Sequence, residues 1–341
     1  MLSSTLTPWF SLLLATVSTS FGLTGVFTWY ARRRGMYDVP AERHSHTEPT
    51  PRGGGAGLVI TVVLASILMY RYGLTSGFWA VCALPGFVVL ALVGWWDDRV
   101  SLSALLRFLV QLGVSIYLLG CLGAVGMAAG LWASIVAGIF LMWTINLYNF
   151  MDGSNGMAGF QGVFVGVVSC FLFLRAGDTA TALLSAVLAA ACLGFLPWNL
   201  GRARVFLGDV ASGSLGFCFG AILIFGVISG SLAAPVAWLV MLVFLGDASL
   251  TLLARVIRGE RWYNPHKEHL YQRLISGGWT HGRVVLLYQL INLVLVVPAI
   301  AVAVNYPASA MVVASVASLA LGTGWLLAQK KLGVLALARK G

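Results

Sequence analysis

Residues 108–151 read FLVQLGVSIYLLGCLGAVGMAAGLWASIVAGIFLMWTINLYNFM, a run of 44 positions without one Asp, Glu, Lys or Arg. A membrane-spanning α-helix needs about 20 apolar residues at a rise of about 1.5 Å per residue, so this run is long enough for two spans joined by a tight turn. The whole chain of 341 residues is similar, with 59% hydrophobic and 9% charged residues. Since a soluble protein carries about 25% charged residues, the composition excludes a soluble enzyme, a disordered chain and a secreted disulfide scaffold.

Other charge-free segments predict the remaining spans. The segments that begin at 210 and at 284 are each long enough for two helices. For the segment from 210, this requires that the second helix continues past Asp247 to Arg255. The shorter segments predict one helix each: 1–31, 53–70, 72–96, 153–174 and 179–201. Together they predict an all-α, polytopic integral membrane protein with about eleven transmembrane helices in a single domain over residues 1–341.

Basic residues predict the orientation of these helices, because cytoplasmic loops are rich in Lys and Arg. With the N-terminus outside and the C-terminus in the cytoplasm, only Arg71 and Arg175 of the 21 basic residues fall outside. The net charge of +10 is then a consequence of topology, and we expect no nucleic-acid partner. All five cysteines lie in predicted spans without a CxxC spacing, so neither a disulfide nor a zinc site is expected.

The acidic residues indicate where function resides. Of eleven Asp and Glu residues, only Asp178 falls on the outer side in this topology. The positive-inside rule says little about Asp and Glu, so topology alone does not explain their distribution. We interpret it as a site at the boundary between membrane and cytoplasm, formed by the loops near 31–54, 97–107, 148–156, 199–211 and 255–283.

Asp97 and Asp98 are adjacent at the end of the third predicted span. Neighbouring carboxylates repel each other unless a cation or a proton separates them. One interpretation is a pair beside a metal ion, or one positioning carboxylate and one base. The alternative is a stop signal for the span, with Arg99 as the local counter-ion.

Two further segments carry oxygen ligands at helix ends. Asn146, Asn149 and Asp152 recur at every third position, so they line one stripe at the end of the fifth span. Such oxygens suit a hard cation like Mg²⁺, which keeps several waters and shares substrate phosphates; the alternative is a polar cap before Gly153. Asp209 opens the eighth span, where the amides of a helix N-terminus and a cation can together hold a diphosphate.

Two cytoplasmic loops add groups that suit phosphate. His266 and His269 share a face, but Glu268 directly precedes the second histidine, so the pattern is not the HExxH of a zinc protease. We interpret the histidines as a phosphate-binding or proton-shuttling pair, with a generic basic loop at the membrane surface as the alternative. In the first loop, Arg52 precedes three glycines at 53–55, a combination that suits phosphate contact.

These segments, in this order, resemble the polyprenyl-phosphate N-acetylhexosamine-1-phosphate transferases, relatives of phospho-N-acetylmuramoyl-pentapeptide transferase. The resemblance covers residues from about 38 to 283. It consists of DxP…H…PTPRGGG in the first loop, DD at 97–98, NxxNxxDG at 146–153, FLGD at 206–209 and the histidine loop at 266–269. It implies transfer of a sugar 1-phosphate from a UDP-N-acetylhexosamine to a polyprenyl phosphate such as undecaprenyl phosphate. UMP would be released, and Mg²⁺ would be the cofactor, with Mn²⁺ as a substitute.

The resemblance and the chemistry of the reaction together assign roles to the residues. Asn149 and Asp209 are expected to bind Mg²⁺, with Asp152 close by. Asp97 or Asp98 would position or deprotonate the lipid phosphate. His266 and His269 would contact the phosphates of the donor. Further substrate contacts are expected from Asn146, Arg52, His46, Arg107 and Lys267.

Two departures from the family bear on the substrate. The histidine loop has two histidines where several relatives have three or more, and Arg107 stands where relatives often have lysine. The first departure resembles the branch that initiates O-antigen or related surface polysaccharides at the bacterial inner membrane. The sugar stays open between N-acetylglucosamine and a 6-deoxy N-acetylhexosamine. The oligomeric state also stays open, with a homodimer as one alternative.

Two other classes of protein compete with this interpretation. A secondary transporter of an anionic substrate places ionisable groups near the bilayer midplane, and only Asp247 approaches that description. A membrane scaffold does not need clustered carboxylates. Mg²⁺-dependent release of UMP distinguishes the transferase from both.

Overall fold

The structure, a computed structural model, describes residues 2–38, 49–124, 130–261 and 266–333, which are almost entirely helical. In chain order the α-helices are α1 (Leu2–Arg33), α2 (Gly55–Arg71), α3 (Leu84–Val100), α4 (Ala104–Ala124), α5 (Gly130–Phe150), α6 (Met157–Arg175), α7 (Thr179–Asn199), α8 (Asp209–Ile228), α9 (Ala234–Ile257), α10 (Leu270–Ser276), α11 (His281–Ile291), α12 (Val297–Asn305) and α13 (Ala310–Lys331). A π-helical turn, Phe78–Ala83, extends α3, and another, Asn292–Val296, joins α11 to α12.

Within the described ranges, ten helices are long and apolar enough to cross a membrane, where α11 and α12 count as one continuous span. Each coincides with a span predicted from the charge-free segments. The remaining predicted span, 53–70, forms α2, which has 17 residues, at the lower end of the range of about 17–25 that crosses a bilayer. The prediction of a polytopic all-α membrane protein with about eleven transmembrane helices is therefore confirmed.

The largely buried helix α8 packs against both α3 and α5. Small residues allow this close approach, as is usual between helices in lipid. A Cβ on Gly216 of α8 would lie 2.6 Å from the carbonyl oxygen of Thr144 on α5. The helices α1, α4, α5 and α13 show large apolar side chains on their outer faces, and these faces suit contact with lipid chains.

One end of the bundle collects most of the predicted loops. Tyr37–Asp38 and Thr50–Pro51 form a short antiparallel ladder, in which Asp38 is opposite Thr50. The chain after this ladder pairs with the segment before α8: Phe206 N donates to Pro51 O at 2.9 Å, and Gly54 N donates to Phe206 O at 3.0 Å. The first loop is thereby held against the start of α8. Residues 39–48, which include His46, lie outside the described residues.

Candidate active site

A cavity of about 800 Å³ opens at this end of the bundle, within the size range of small-molecule sites. Its wall brings together nine of the twelve residues singled out from the sequence. They are Asp98, Asp152, His266, His269, Asn146, Arg52, Arg107, Asn149 and Asp209. Asp97 and Lys267 lie outside this wall, and His46 lies outside the described residues.

Asp98 links the end of α3 to the start of α8. Its Oδ1 accepts a hydrogen bond from Asp209 N at 3.1 Å, and its Oδ2 accepts one from Val210 N at 3.3 Å. Gly208 provides no side-chain cap for α8, so Asp98 binds the orphan amides of that helix from outside. A Cβ on Gly208, whose φ is 77°, would lie 2.5 Å from Asp98 Oδ2, which explains why glycine occupies this position.

The amides at the start of α8 therefore bind a carboxylate of the protein itself. The sequence suggested that these amides, with a cation, would hold a diphosphate directly. The structure corrects this expectation for the amides of Asp209 and Val210, because both donate to Asp98.

The side chain of Asp209 lies among the other acidic groups of the site. Its carboxyl contacts the side chains of Asp97 and Asn149 and lies close to Asp98. Asp152 completes this wall: burial, followed by the nearby carboxylates of Asp209 and Asp98, raises its pKa well above the ordinary value. The repulsion among these carboxylates is relieved by a proton or by a bound cation.

The oxygens of Asn149, Asp209 and their neighbours fit a hard cation. Among the described residues, no group of three or more His, Cys, Asp or Glu side chains is spaced to hold a metal by itself. Mg²⁺ commonly binds through one or two carboxylates and completes its shell with water and substrate phosphates. The donor set therefore matches Mg²⁺ better than a metal that needs a full protein cage.

Asp97 has a different role from its neighbour. It is buried, its Oδ2 lies 3.0 Å from the guanidinium of Arg107, and its Oδ1 accepts from Leu102 N at 2.5 Å. Ser101 ends α3 with a left-handed φ of 51°, and the reversal of the chain there brings Arg107 of α4 back to Asp97. Asp97 thus holds Arg107, and Arg107 lines the cavity.

The alternative in which Asp97 and Asp98 form a stop signal paired with Arg99 is not supported. Arg99 instead lies with its guanidinium carbon 4.2 Å from the centre of the Trp95 ring. Both carboxylates have the partners described above, which are groups from other elements of the site.

Other cavity residues are braced by neighbouring helices. Asn146 on α5 donates to the side-chain oxygen of Gln111 on α4 at 2.7 Å. Arg52 pairs with Asp38 at 2.7 Å across the short ladder, and both side chains line the cavity. The charge of Arg52 is therefore partly balanced before any anion binds.

His266 and His269 form a neutral pair in the wall. Their ring centres are 4.8 Å apart. Burial, followed by the adjacent His269, lowers the pKa of His266 to about 4, and burial also lowers the pKa of His269. At neutral pH the two rings therefore offer hydrogen bonds and no fixed positive charge.

The loop that carries the histidines is held by an ionic cluster. The carboxylate of Glu268 pairs with Arg255 and Arg258 from the end of α9 and, at 2.9 Å, with Arg273 from α10. This cluster explains how a short loop between transmembrane helices keeps a defined position. Glu268 was not singled out from the sequence.

Asp247, the residue that made a transporter conceivable, is fully engaged by the protein. Its Oδ1 accepts from Leu270 N and from the indole of Trp325, both at 2.9 Å, and its Oδ2 accepts from the hydroxyl of Tyr288 at 2.6 Å. A carboxylate with these buried partners is a structural brace, and the structure gives no support to a transport pathway through it.

The cavity wall includes polar residues that the sequence reasoning did not single out, and Asn199 and His281 are two of them. The side chain of Asn199, at the end of α7, accepts from Gly156 N at 2.6 Å and donates to Val205 O at 3.0 Å. Nδ1 of His281, at the start of α11, lies 3.0 Å from the hydroxyl of Ser154. Both residues are polar and lie at the cavity end of a span, which is the signal that could have found them.

The fold and the cavity define a polytopic membrane protein with a cluster of carboxylate and arginine side chains around a cavity at one end of its helices. Comparison with known proteins identifies the family to which this membrane protein belongs. Residues 79–227 match the family described as glycosyl transferase family 4. The chain is 32% identical to the decaprenyl-phosphate N-acetylglucosaminephosphotransferase of Mycobacterium tuberculosis (strain ATCC 25618 / H37Rv), over 82% of this chain and 78% of that protein.

Two further relatives agree with this assignment. The decaprenyl-phosphate N-acetylglucosaminephosphotransferase of Mycolicibacterium smegmatis is 34% identical, over 82% of this chain and 78% of its own length. The probable undecaprenyl-phosphate N-acetylglucosaminyl 1-phosphate transferase of Bacillus subtilis is 27% identical, over 82% and 80%. The chain therefore belongs to the family of polyprenyl-phosphate N-acetylhexosamine-1-phosphate transferases, which also includes phospho-N-acetylmuramoyl-pentapeptide transferase.

Proposed function

We propose that this protein transfers N-acetylhexosamine 1-phosphate from a UDP-sugar to polyprenyl phosphate and releases UMP. A phosphate oxygen of the lipid attacks the phosphorus that bears the sugar, and the bond to the UMP oxygen breaks. The observation that carries the proposal is the meeting of Asp98, Asn149 and Asp209 with Arg52 and Arg107 around one cavity. Carboxylates and arginines are both needed where two phosphate anions must approach each other.

Asp209 and Asn149 would hold Mg²⁺ beside Asp152. When bound, the ion neutralises the diphosphate of the donor and the charge that develops on the departing UMP. The contact between the carboxyl of Asp209 and the amide of Asn149 supports this assignment, because it brings the two oxygen-bearing side chains together. The raised pKa of Asp152, caused first by burial and then by the carboxylates of Asp209 and Asp98, supports it further, since a cation would reduce the repulsion among these carboxylates.

Asp98 and Arg107 would bind and orient the lipid phosphate. Asp98 lines the cavity and is fixed by two backbone amides, so it is the better candidate of the acidic pair to orient or deprotonate that phosphate. Arg107 offers a planar guanidinium that can bind phosphate through two donors. The apolar part of the wall, which includes Phe108, Ile139 and Met142, suits the hydrocarbon tail.

The neutral imidazoles of His266 and His269 would donate hydrogen bonds to the phosphates of the donor. Their lowered pKa values are consistent with this role, because a neutral ring donates from one nitrogen without adding a charge. Arg52, which is paired with Asp38, would also bind the phosphates of the donor.

For the donor sugar we favour N-acetylglucosamine, because the relatives named above act with that sugar. The product would be the first lipid-linked sugar of a surface polysaccharide of the O-antigen type. The cavity would face the cytoplasm at the inner membrane, since that orientation puts nearly all of the Lys and Arg residues inside. Cysteine accessibility at loop positions 258–261, which follow α9, should then be restricted to the cytoplasmic side, and labelling from outside would overturn this orientation.

The central experiment is an assay of UMP release by the purified protein with polyprenyl phosphate and a panel of UDP-sugars. We expect turnover that requires both Mg²⁺ and the lipid, and that is fastest with UDP-N-acetylglucosamine. EDTA should abolish turnover, and added Mg²⁺ should restore it. Absence of UMP release with every sugar in the panel would contradict the proposal.

A further inference from the structure

Two arginines converge on Tyr30 near the end of α1. The guanidinium carbon of Arg34 lies 5.8 Å from the centre of the Tyr30 ring. The guanidinium of Arg99, from the end of α3, donates a hydrogen bond to the Tyr30 hydroxyl at 3.3 Å. Arg99 also lies over Trp95, at 4.2 Å from the ring centre. We call Tyr30, Arg34, Trp95 and Arg99 the arginine–aromatic cluster.

The cluster is separate from the cavity. Asp98 faces the cavity and the start of α8, whereas the next residue, Arg99, faces α1. Arg34 and Arg99 are both exposed. Among the described residues, no acidic side chain forms an ion pair with either arginine. Two guanidinium groups therefore contact the same tyrosine, and neither is paired with a carboxylate of the described residues.

Such an arrangement favours an anion that both guanidiniums can reach. A guanidinium stacked on an aromatic ring still has donors at its edge, and its planar fork matches the oxygens of a phosphate. Stacking also fixes the side chain, so less conformational freedom is lost when the anion binds. Neighbouring Arg33 stacks on Trp29 at 4.3 Å, which adds a third positive charge to the end of the same helix.

The position of the cluster indicates the source of that phosphate. It lies at the ends of two membrane-spanning helices, α1 and α3, beside the exposed side chains of Trp29 and Trp96. Tryptophan and arginine at helix ends are typical of the level of the lipid headgroups. An anion at this level is supplied by the bilayer itself.

We propose that the arginine–aromatic cluster binds the phosphate of an anionic phospholipid headgroup. The site is distinct from the substrate cavity, and its ligand is a lipid of the surrounding membrane. Binding depends on the paired guanidiniums of Arg34 and Arg99 and does not depend on the transferase reaction.

The test is native mass spectrometry of the purified full-length protein, titrated in detergent with phosphatidylglycerol or with phosphatidylcholine of the same chains. Arg34→Gln/Arg99→Gln is compared with Lys330→Gln/Lys331→Gln, which removes the same charge from two exposed lysines at the end of α13. We expect the arginine variant to bind phosphatidylglycerol more weakly by roughly fivefold for each guanidinium lost. The lysine variant, which keeps both guanidiniums of the cluster, should lose clearly less binding than the arginine variant.

Several results would overturn the proposal. These are an equal loss in the lysine variant, equal binding of phosphatidylcholine, or displacement of phosphatidylglycerol by millimolar inorganic phosphate. If the glutamine variant is not monodisperse, Arg34→Lys/Arg99→Lys takes its place; it keeps the charge but loses the planar fork. A lysine pair that binds phosphatidylglycerol as tightly as the wild type would show that charge alone is responsible and would contradict the site.

Discussion

The carboxylate of Asp247 accepts a hydrogen bond of 2.9 Å from the backbone amide of Leu270, the residue that follows His269. The same carboxylate binds Tyr288 on α11 and Trp325 on α13. One buried acid in α9 therefore fixes the start of α10 to three transmembrane helices. The hydrogen bond from Leu270 N to Asp247 and the ionic cluster around Glu268 together hold His269 in the cavity wall.

We predict that Asp247→Asn lowers both activity and stability. Asparagine can still accept from Leu270 N and Trp325 and can donate to the Tyr288 hydroxyl, but it loses the charge that strengthens these bonds; a hydrogen bond to a charged group is worth about 1.5–3 kcal/mol, against about 0.5–1.5 kcal/mol for a neutral one. Since the loop of His269 would shift, turnover should fall roughly tenfold to a hundredfold. The measurements are UMP release and the thermal midpoint in detergent.

The control for this substitution is Asp178→Asn at the opposite end of the bundle. Asp178 caps α7 by accepting from Thr181 N at 2.9 Å, and asparagine is an equally good cap. It should leave both measurements unchanged. Normal turnover in Asp247→Asn would remove Asp247 from the support of the site.

A second prediction separates Asp97 from Asp98. Because Asp97 pairs with Arg107 at 3.0 Å, the Asp97→Asn and Arg107→Gln variants should lose the same interaction. Each should lower kcat/KM by about tenfold, and the double variant should be little worse than either, as expected for coupled neighbours. Asp97→Asn combined with Asp247→Asn should instead be additive. Additive losses in the Asp97 and Arg107 pair would contradict the role of Asp97 as the support of Arg107.

The sequence predicted the helices well, and the physical reason is simple. A charged group in the hydrocarbon core is costly, so the gaps between charges mark the spans directly, and all eleven correspond to helices in the structure. The run at 108–151 divides into α4 and α5 as expected. The sequence also placed the polar motifs at helix ends, where the cavity wall brings most of them together.

The direction of individual side chains was beyond this reasoning. Asp97 and Asp98 are consecutive on a helix, so they point about 100° apart, and nothing in the residues tells which one faces the cavity. Asn199 and His281 were missed because the argument followed carboxylates and clustered histidines. Both act through contacts with backbone or hydroxyl groups of distant segments, which local patterns do not show.

A third prediction concerns pH. The pKa of His266 is about 4 in the folded protein, below its ordinary value of about 6.5. The folded state therefore binds fewer protons than the unfolded state between these values, so this histidine stabilises the protein above about pH 6.5 and the contribution is lost as the pH falls through about 4. The thermal midpoint should fall from pH 7 to pH 4.5, and His266→Gln should reduce that fall. A pH dependence identical in the two proteins would show that His266 is accessible to protons in the folded state.

The last prediction distinguishes the binding of Mg²⁺ by Asp209 from the binding or deprotonation of the lipid phosphate by Asp98. If Asp209 is a direct ligand of Mg²⁺, Asp209→Asn should raise the Mg²⁺ concentration that gives half-maximal UMP release and lower the maximum. A neutral oxygen in place of a carboxylate weakens the binding of a hard cation that has few protein ligands. Asn149→Ala should act in the same direction but less strongly, because it removes a neutral ligand.

Asp98→Asn provides the comparison, because its carboxylate is bound by the amides of Asp209 and Val210. Asparagine keeps one oxygen to accept from Asp209 N but turns an amide donor toward Val210 N, so α8 keeps one of these two bonds while the charge facing the lipid phosphate is lost; the thermal midpoint in detergent checks that the fold is retained. The maximum rate should therefore fall strongly with little change in the Mg²⁺ midpoint. A wild-type midpoint in Asp209→Asn together with a shifted midpoint in Asp98→Asn would reverse the two roles, and would make the carboxylate at the end of α3 the metal ligand.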